Sequence, residues 1–175
     1  MTRDKKIIII ISQRNFCDEE YHIIRTIFES FGIKCEVASS DLSPAIGMEG
    51  SLVQPDIQIR KIKTNRCDAL CFIGGVGCTV YWHDTEVQNL ILAANEAGLH
   101  LGAICLAPVI LANTGLLKGK RATAYPSAKS YLKMKGILYS DNPVETEKNI
   151  VTAKMPEAAE AFALKICSML ARKGR

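Results

Sequence analysis

The chain has 175 residues, 48% of them hydrophobic and 23% charged, which suits a single domain over residues 1–175 with an ample core. Its net charge of +4 combines scattered charges of both signs with one basic tail, Ala171-Arg172-Lys173-Gly174-Arg175. A phosphate-tracking protein needs a concentrated basic face, so this distribution argues against nucleic acid as a partner, and the tail reads as a solvated end.

The elements are taken in chain order. Ile7 to Ile11 is an isoleucine run behind Lys5 and Lys6, too short for a membrane span or a secretory leader and followed by no small-residue cleavage site. It reads as the first buried strand, Lys5 to Ile11, of a cytoplasmic protein with no membrane contact. Asp18 to Phe31 is an amphipathic helix closed by Gly32, and Lys34 to Ala38 is a second strand, completing a β-α-β unit. From Ser39 to Lys63 the polar, Gly- and Pro-bearing composition, with alternation at Ile57, Ile59 and Ile62, predicts a small antiparallel excursion. Ala69 to Ile73 is the next buried strand, followed by the loop Gly74-Gly75-Val76-Gly77 and a helix from Asp84 to Ala97. Leu99 to Ile104 is an apolar strand that runs into Cys105, and Ala107 to Leu117 has helical length. Arg121 to Ala124 reads as strand, Val144 to Thr146 and Ile150 to Ala153 as a hairpin, and Pro156 opens a C-terminal helix to about Ala171. Strands alternating with helices predict an α/β three-layer sandwich, a mostly parallel central sheet with helices on both faces.

Ligands of such sheets bind outside the carboxyl ends of the strands, so Ser12 to Asp18, Gly74 to Asp84, Cys105 and Tyr125 are expected along one edge. Cys105 stands at a strand-to-helix corner, and Pro108 fixes the helix start close behind it. Unpaired N–H groups and the helix dipole are expected to favour the thiolate there. The run Gly102-Ala103-Ile104-Cys105-Leu106-Ala107 is a looser relative of the G-x-S-x-G nucleophile elbow. Glu20, in the first turn of the first helix, can reach the same edge; a protonated carboxyl there donates a hydrogen bond to a thiolate. Asp18, Glu19 and Glu20 together are equally readable as a cluster that complements the helix dipole. Gly74 and Gly75 permit close backbone approach, and their N–H groups with that of Leu106 can cradle an oxyanion, or simply form a tight turn. Trp82 and His83 follow on the same edge, where Asp84 can cap the next helix. The seven cysteines are an odd number with no C-x-x-C spacing, which points to a reducing compartment and gives no zinc motif.

The combination of Gly74-Gly75, Ala103-Ile104-Cys105 with Pro108, Leu116-Leu117-Lys118-Gly119-Lys120, and Phe16-x-Asp18-x-Glu20 with Gly32 resembles the ThiJ/PfpI family of the class I glutamine amidotransferase-like superfamily. The resemblance covers nearly the whole chain. It implies a flavodoxin-like sandwich, a nucleophile-elbow cysteine at Cys105, a hydrogen-bonding glutamate at Glu20, backbone donors near Gly75 and Leu106, and assembly as a homodimer or larger homo-oligomer. No cofactor or metal is implied.

Many relatives place a histidine directly after the cysteine or at the strand end corresponding to Ala124-Tyr125-Pro126; this chain has Leu106 and Tyr125. A phenol titrates near pH 10, so Tyr125 reads as a donor or packing residue rather than a base. His83 is the candidate replacement. His22 lies on another helical face, and His100 opens its strand about 16 Å before Cys105 at extended rise, so both read as structural. Thr79 occupies the position where ring-forming relatives contribute a glutamate to a neighbour, which weakens a peptidase reading. Two readings result: a cysteine-dependent enzyme on a small carbonyl or amide substrate, glyoxalase-, deglycase- or amidase-like, or a redox-responsive, chaperone-like stress protein in which Cys105 becomes a sulfinic acid. A fold retained only for binding is a third. Cys17 and Cys78 are expected along the same edge as Cys105, either as a resolving thiol or as unrelated loop cysteines.

Overall fold

The structure is a computed structural model that describes residues 4–172. The last three positions of the basic tail, 173–175, lie outside the described residues.

The elements run β1 (Lys6–Ile10), β2 (Arg14–Phe16), α1 (Asp18–Ser30), β3 (Lys34–Ser39), β4 (Ala45–Gly47), β5 (Leu52–Val53), β6 (Ile57–Gln58) and β7 (Ala69–Phe72). They continue with α2 (Thr85–Glu96), β8 (His100–Ile104), α3 (Pro108–Asn113), β9 (Arg121–Ala122), α4 (Lys129–Met134), β10 (Leu138–Tyr139), β11 (Val144–Glu147), β12 (Ile150–Ala153) and α5 (Ala159–Arg172). Seven strands form one sheet in the order β11-β12-β8-β7-β1-β3-β6, parallel throughout except for the β11–β12 hairpin.

The central strands are apolar on both faces because both faces are covered. Alternation along β1 sends Ile8 and Ile10 to one side, with Val87 and Ile91 of α2 and Val109 and Ile110 of α3. Ile7 and Ile9 go to the other side, with Ile24 and Phe28 of α1 and Phe162 and Ile166 of α5. The result is the expected three-layer α/β architecture. Gly102 in β8 allows α5 to lie close, since a Cβ there would stand 2.7 Å from Ile166 Cδ1 and 2.8 Å from Phe162 Cζ.

Several local readings are corrected. The antiparallel excursion is confined to β4 and β5, which with β2 make a separate three-stranded sheet; β2 itself lies in what reads as loop. The alternation at Ile57, Ile59 and Ile62 is no edge strand of that excursion: Ile57–Gln58 pairs parallel with β3, and the chain then turns into a 3-10 segment, Ile59–Lys61. The helix after Cys105 stops at Asn113 rather than Leu117, because Gly115 adopts φ +82. Arg121 to Ala124 shortens to Arg121–Ala122, which leaves the main sheet to pair with β10. Among the described residues no helix is long and apolar enough to cross a membrane.

Candidate active site

Parallel β1, β7, β8 and β12 end on one edge, and there the chain draws three loops together. Cys105 follows β8 directly: its N–H donates to Ala153 O at the end of β12 (3.0 Å), and its carbonyl accepts from Tyr125 N–H (2.8 Å). Held from both sides, Cys105 adopts φ +64, a left-handed conformation that costs a non-glycine residue of the order of 1 kcal/mol and turns the side chain off the sheet into a corner. Only 7% of the residue remains exposed.

The loop after β7 forms the second wall. A Cβ on Gly74 would stand 2.5 Å from Cys105 Cβ, 2.8 Å from Ile104 O and 2.9 Å from Glu20 Oε2, so only glycine fits. Gly74 uses both of its backbone groups: its N–H donates to Glu20 Oε2 (2.8 Å) and its carbonyl accepts from Cys17 N–H (3.0 Å). Gly75, at φ +93, turns its N–H toward the Cys105 sulfur.

The third wall is the start of α1, where three adjacent acids part company. Glu19 is exposed, Asp18 is buried, and Glu20 is wholly buried with no accessible surface. Asp18 accepts from Glu49 N–H (2.8 Å) and Ser51 N–H (2.9 Å), pinning the β4–β5 turn to α1. Glu20 faces Cys105 and Cys17, whose thiols both act on its carboxyl, while Oε1 is buried and has no hydrogen-bond partner. The acids are therefore not one dipole cluster.

Charge follows from this packing. Burial pushes the Glu20 carboxyl up to about 7, although the Gly74 N–H and the two thiols pull the other way. Burial, then the Glu20 charge, also pushes the Cys105 thiol well up, with the Gly75 N–H opposing. The expected helix-dipole stabilisation of a free thiolate is thus overturned: α3 begins only at Pro108, six residues long, and burial beside a carboxylate outweighs it. Burial, with the Glu20 charge next, pushes Cys17 up to about 12.

The remaining candidates separate. Leu106 meets Trp82, whose indole Nε1 donates to Leu106 O (3.2 Å), and the Trp82 ring packs on Tyr131 at 5.9 Å. Tyr125 is tied to Cys105 through its backbone, while its side chain is 41% exposed. His83 is exposed on the turn before α2, and the groups acting on Cys105 are Glu20, Gly75 and Cys17 rather than this ring. His22 pairs with Ser51 Oγ (3.0 Å), and His100 begins β8 at the opposite edge. Thr79 is exposed and bonds Val76 O (2.8 Å). Cys78 is buried among the α2-side core, so of the two loop cysteines it is Cys17 that joins the site. Sequence reasoning did not find that Cys17 and Cys105 share one carboxyl, because the contact depends on the bond from Cys17 N–H to Gly74.

A cleft of about 510 Å³ opens farther along the same edge, between Ser12, Arg14, Ser40, Gly77, Tyr81 and Asp84; Cys105 is not among its walls. Among the described residues no group of three His, Cys, Asp or Glu side chains is arranged to hold a metal ion.

The sequence profile of the DJ-1/PfpI family matches residues 5–169. An uncharacterized protein of Methanocaldococcus jannaschii is 34% identical over 167 residues, covering 94% of this chain and 82% of that one. A Caenorhabditis elegans protein named a glutathione-independent glyoxalase is 25% identical over 170 residues, covering 97% of this chain and 91% of that one. The crystal structure of a ThiJ/PfpI domain protein from Brachyspira murdochii superposes with a TM-score of 0.94 at 29% identity, covering 97% of this chain and 98% of the other. With the profile running from the first strand into the last helix, this chain belongs to the DJ-1/PfpI family.

Proposed function

We propose that the chain is a cysteine-dependent enzyme acting on a small 2-oxoaldehyde, with Cys105 as nucleophile and Glu20 as the group that moves protons. The observation that carries this reading is the wholly buried Glu20 carboxyl, fixed by Gly74 N–H at 2.8 Å and facing the Cys105 thiol. Above about pH 7 the pair holds one proton, which rests on the Cys105 sulfur and is passed to the Glu20 carboxyl for reaction. When the proton is on Glu20, the sulfur is a thiolate that accepts the carboxyl O–H; no histidine is needed to generate it.

The thiolate adds to the aldehyde carbon and Glu20 gives its proton to the new alkoxide, forming a hemithioacetal. The Glu20 carboxylate then takes the proton from that carbon and returns it to the neighbouring carbonyl carbon, while the hydroxyl proton passes from the first oxygen to the second, which isomerises the adduct to a 2-hydroxy thioester. Water hydrolyses the thioester, releasing the 2-hydroxy acid and restoring the shared proton. The Gly75 N–H and that of Leu106 serve as donors to oxygen as charge develops on it. A cysteine only 7% exposed suits a substrate of a few atoms better than a peptide. The similarity to a protein named a glyoxalase supports the same choice.

Incubation with methylglyoxal, following lactate, tests the reading. Turnover should fall at least about 100-fold in both Cys105→Ser and Glu20→Gln, the scale of losing a nucleophile or a positioned proton carrier. Full activity in either variant, or no turnover by the parent protein, would overturn it.

A further inference from the structure

We propose that Cys17 is the resolving thiol of Cys105, so that peroxide converts the site to an intramolecular Cys17–Cys105 disulfide rather than leaving an oxidised lone sulfur. This rests on the reading of Cys105 as the reactive sulfur and adds to it a regulation that the carbonyl chemistry does not require.

The two cysteines come from distant parts of the chain and meet at one carboxyl. Cys17 stands at the N-terminal boundary of α1 and Cys105 at the end of β8, and both thiols face Glu20. The intervening backbone is held tightly. Cys17 N–H is bonded to Gly74 O (3.0 Å), and Gly74 packs so closely on Cys105 that a Cβ would reach within 2.5 Å of Cys105 Cβ. The next residue, Gly75, presses equally on Cys17, since a Cβ there would lie 2.5 Å from Cys17 N. Two consecutive glycines thus separate the cysteine backbones, and no side chain from that loop stands between them.

Of the other thiols, Cys71 and Cys78 also feel the Glu20 charge, but only Cys105 and Cys17 act directly on its carboxyl. Cys35 pairs with Ile7 near the start of the sheet, at the opposite edge. Cys71 lies wholly buried within β7, and Cys67, Cys78 and Cys167 are buried in the two cores. Cys17 is half-buried, the more open member of the pair, while Cys105 is buried.

The chemistry balances with hydrogen peroxide as oxidant. The Cys105 thiolate attacks one peroxide oxygen, the O–O bond breaks, and the departing hydroxide takes the proton from Glu20, giving Cys105 sulfenic acid and water. Glu20, now ionised, accepts the Cys17 proton. The Cys17 sulfur then attacks the Cys105 sulfur, the S–O bond breaks, and the second hydroxide leaves as water with that same proton. Two thiols and one peroxide become a disulfide and two waters, and one carboxyl serves both steps because both thiols face it.

The test treats the reduced full-length protein with equimolar hydrogen peroxide, then denatures and alkylates it for intact-mass and fragment analysis. Two of the seven cysteines should escape alkylation, joined as Cys17–Cys105, with all seven recovered after dithiothreitol. Cys78→Ser should behave as the parent, while Cys17→Ser should accumulate Cys105 carrying two oxygens. A parent protein that accumulates sulfinic Cys105 with Cys17 still alkylated, or that links another pair, overturns the proposal. Methylglyoxal turnover of the same reduced batch separates the two ideas. Turnover with sulfinic acid rejects the pairing alone; a Cys17–Cys105 link without turnover upholds the pairing and rejects the enzyme.

Discussion

Substituting Glu20 by Gln tests the electrostatics of the site without reference to any substrate. Glutamine keeps the shape and an oxygen that accepts the Gly74 N–H, but it cannot ionise. In the parent protein, burial raises the Glu20 carboxyl from its ordinary 4.5 to about 7. Over that interval the folded chain binds a proton that the unfolded chain has already released, so folding is favoured at the acid end and loses support as pH rises. Linkage converts the interval into about 3 kcal/mol, present in full below pH 4.5 and gone once pH has passed 7. The Asp18 carboxyl, held below its ordinary 3.8, works in the opposite sense and at lower pH, so it does not mask the effect. Urea unfolding of both proteins, followed by fluorescence of the lone Trp82, should show parent stability falling by about 3 kcal/mol relative to Glu20→Gln between pH 4.5 and 7.5. Parallel curves for the two proteins would mean that Glu20 is an ordinary carboxylate, and the shared-proton account of Cys105 would fall with it.

Two further substitutions examine how the loops hold the site. Gly74→Ala places a methyl group 2.5 Å from Cys105 Cβ and 2.8 Å from Ile104 O, where neither neighbour is a flexible chain end. It should cost about 1–3 kcal/mol in urea unfolding. The displaced sulfur should lower methylglyoxal turnover about 100-fold while circular dichroism stays native. Asp18→Asn removes the charge that accepts Glu49 and Ser51 N–H, and should lower stability at neutral pH by about 1–3 kcal/mol. Burial opposes ionised Asp18, but those N–H groups and the Ser51 hydroxyl outweigh it, so its contribution exists above pH 3.8 and disappears on acidification. Hydrogen exchange of residues 48–53 should be faster in the variant at pH 6 and equal to the parent at low pH.

The parts of this fold legible in the sequence are those whose burial is written into a local run. Ile7 to Ile11 and Leu99 to Ile104 can be read as strands because a segment covered on both faces needs no polar side, and Cys105 could be placed because a strand must end before Pro108. What escaped depends on distant partners. β2 and β10 are three and two residues long and exist only through pairing with β4 and β9. The end of α3 is ambiguous in the sequence because Gly115 and Gly119 both adopt a positive φ, and the first of them stops the helix. At the site, Asp18, Glu19 and Glu20 are alike as letters. Successive helix positions are turned by about 100°, so the same triplet sends one acid to a hairpin, one to solvent and one beneath Cys105.

The missing histidine acquires a physical reading from this arrangement. A histidine beside a buried thiol creates an ion pair, imidazolium and thiolate, from two neutral groups, and both charges must be solvated by the site. A buried carboxyl and a thiol already carry one negative charge between them above about pH 7, and exchanging the proton moves that charge from oxygen to sulfur without creating another. The surroundings supply fixed donors at each end of the exchange, Gly74 N–H for the carboxylate and Gly75 N–H for the thiolate. Both donors belong to one two-residue turn at the end of β7, so whichever atom holds the charge is met by an adjacent peptide. Tyr125, which follows the strand end, leaves its side chain partly in solvent and contributes the backbone N–H that holds Cys105 in its corner.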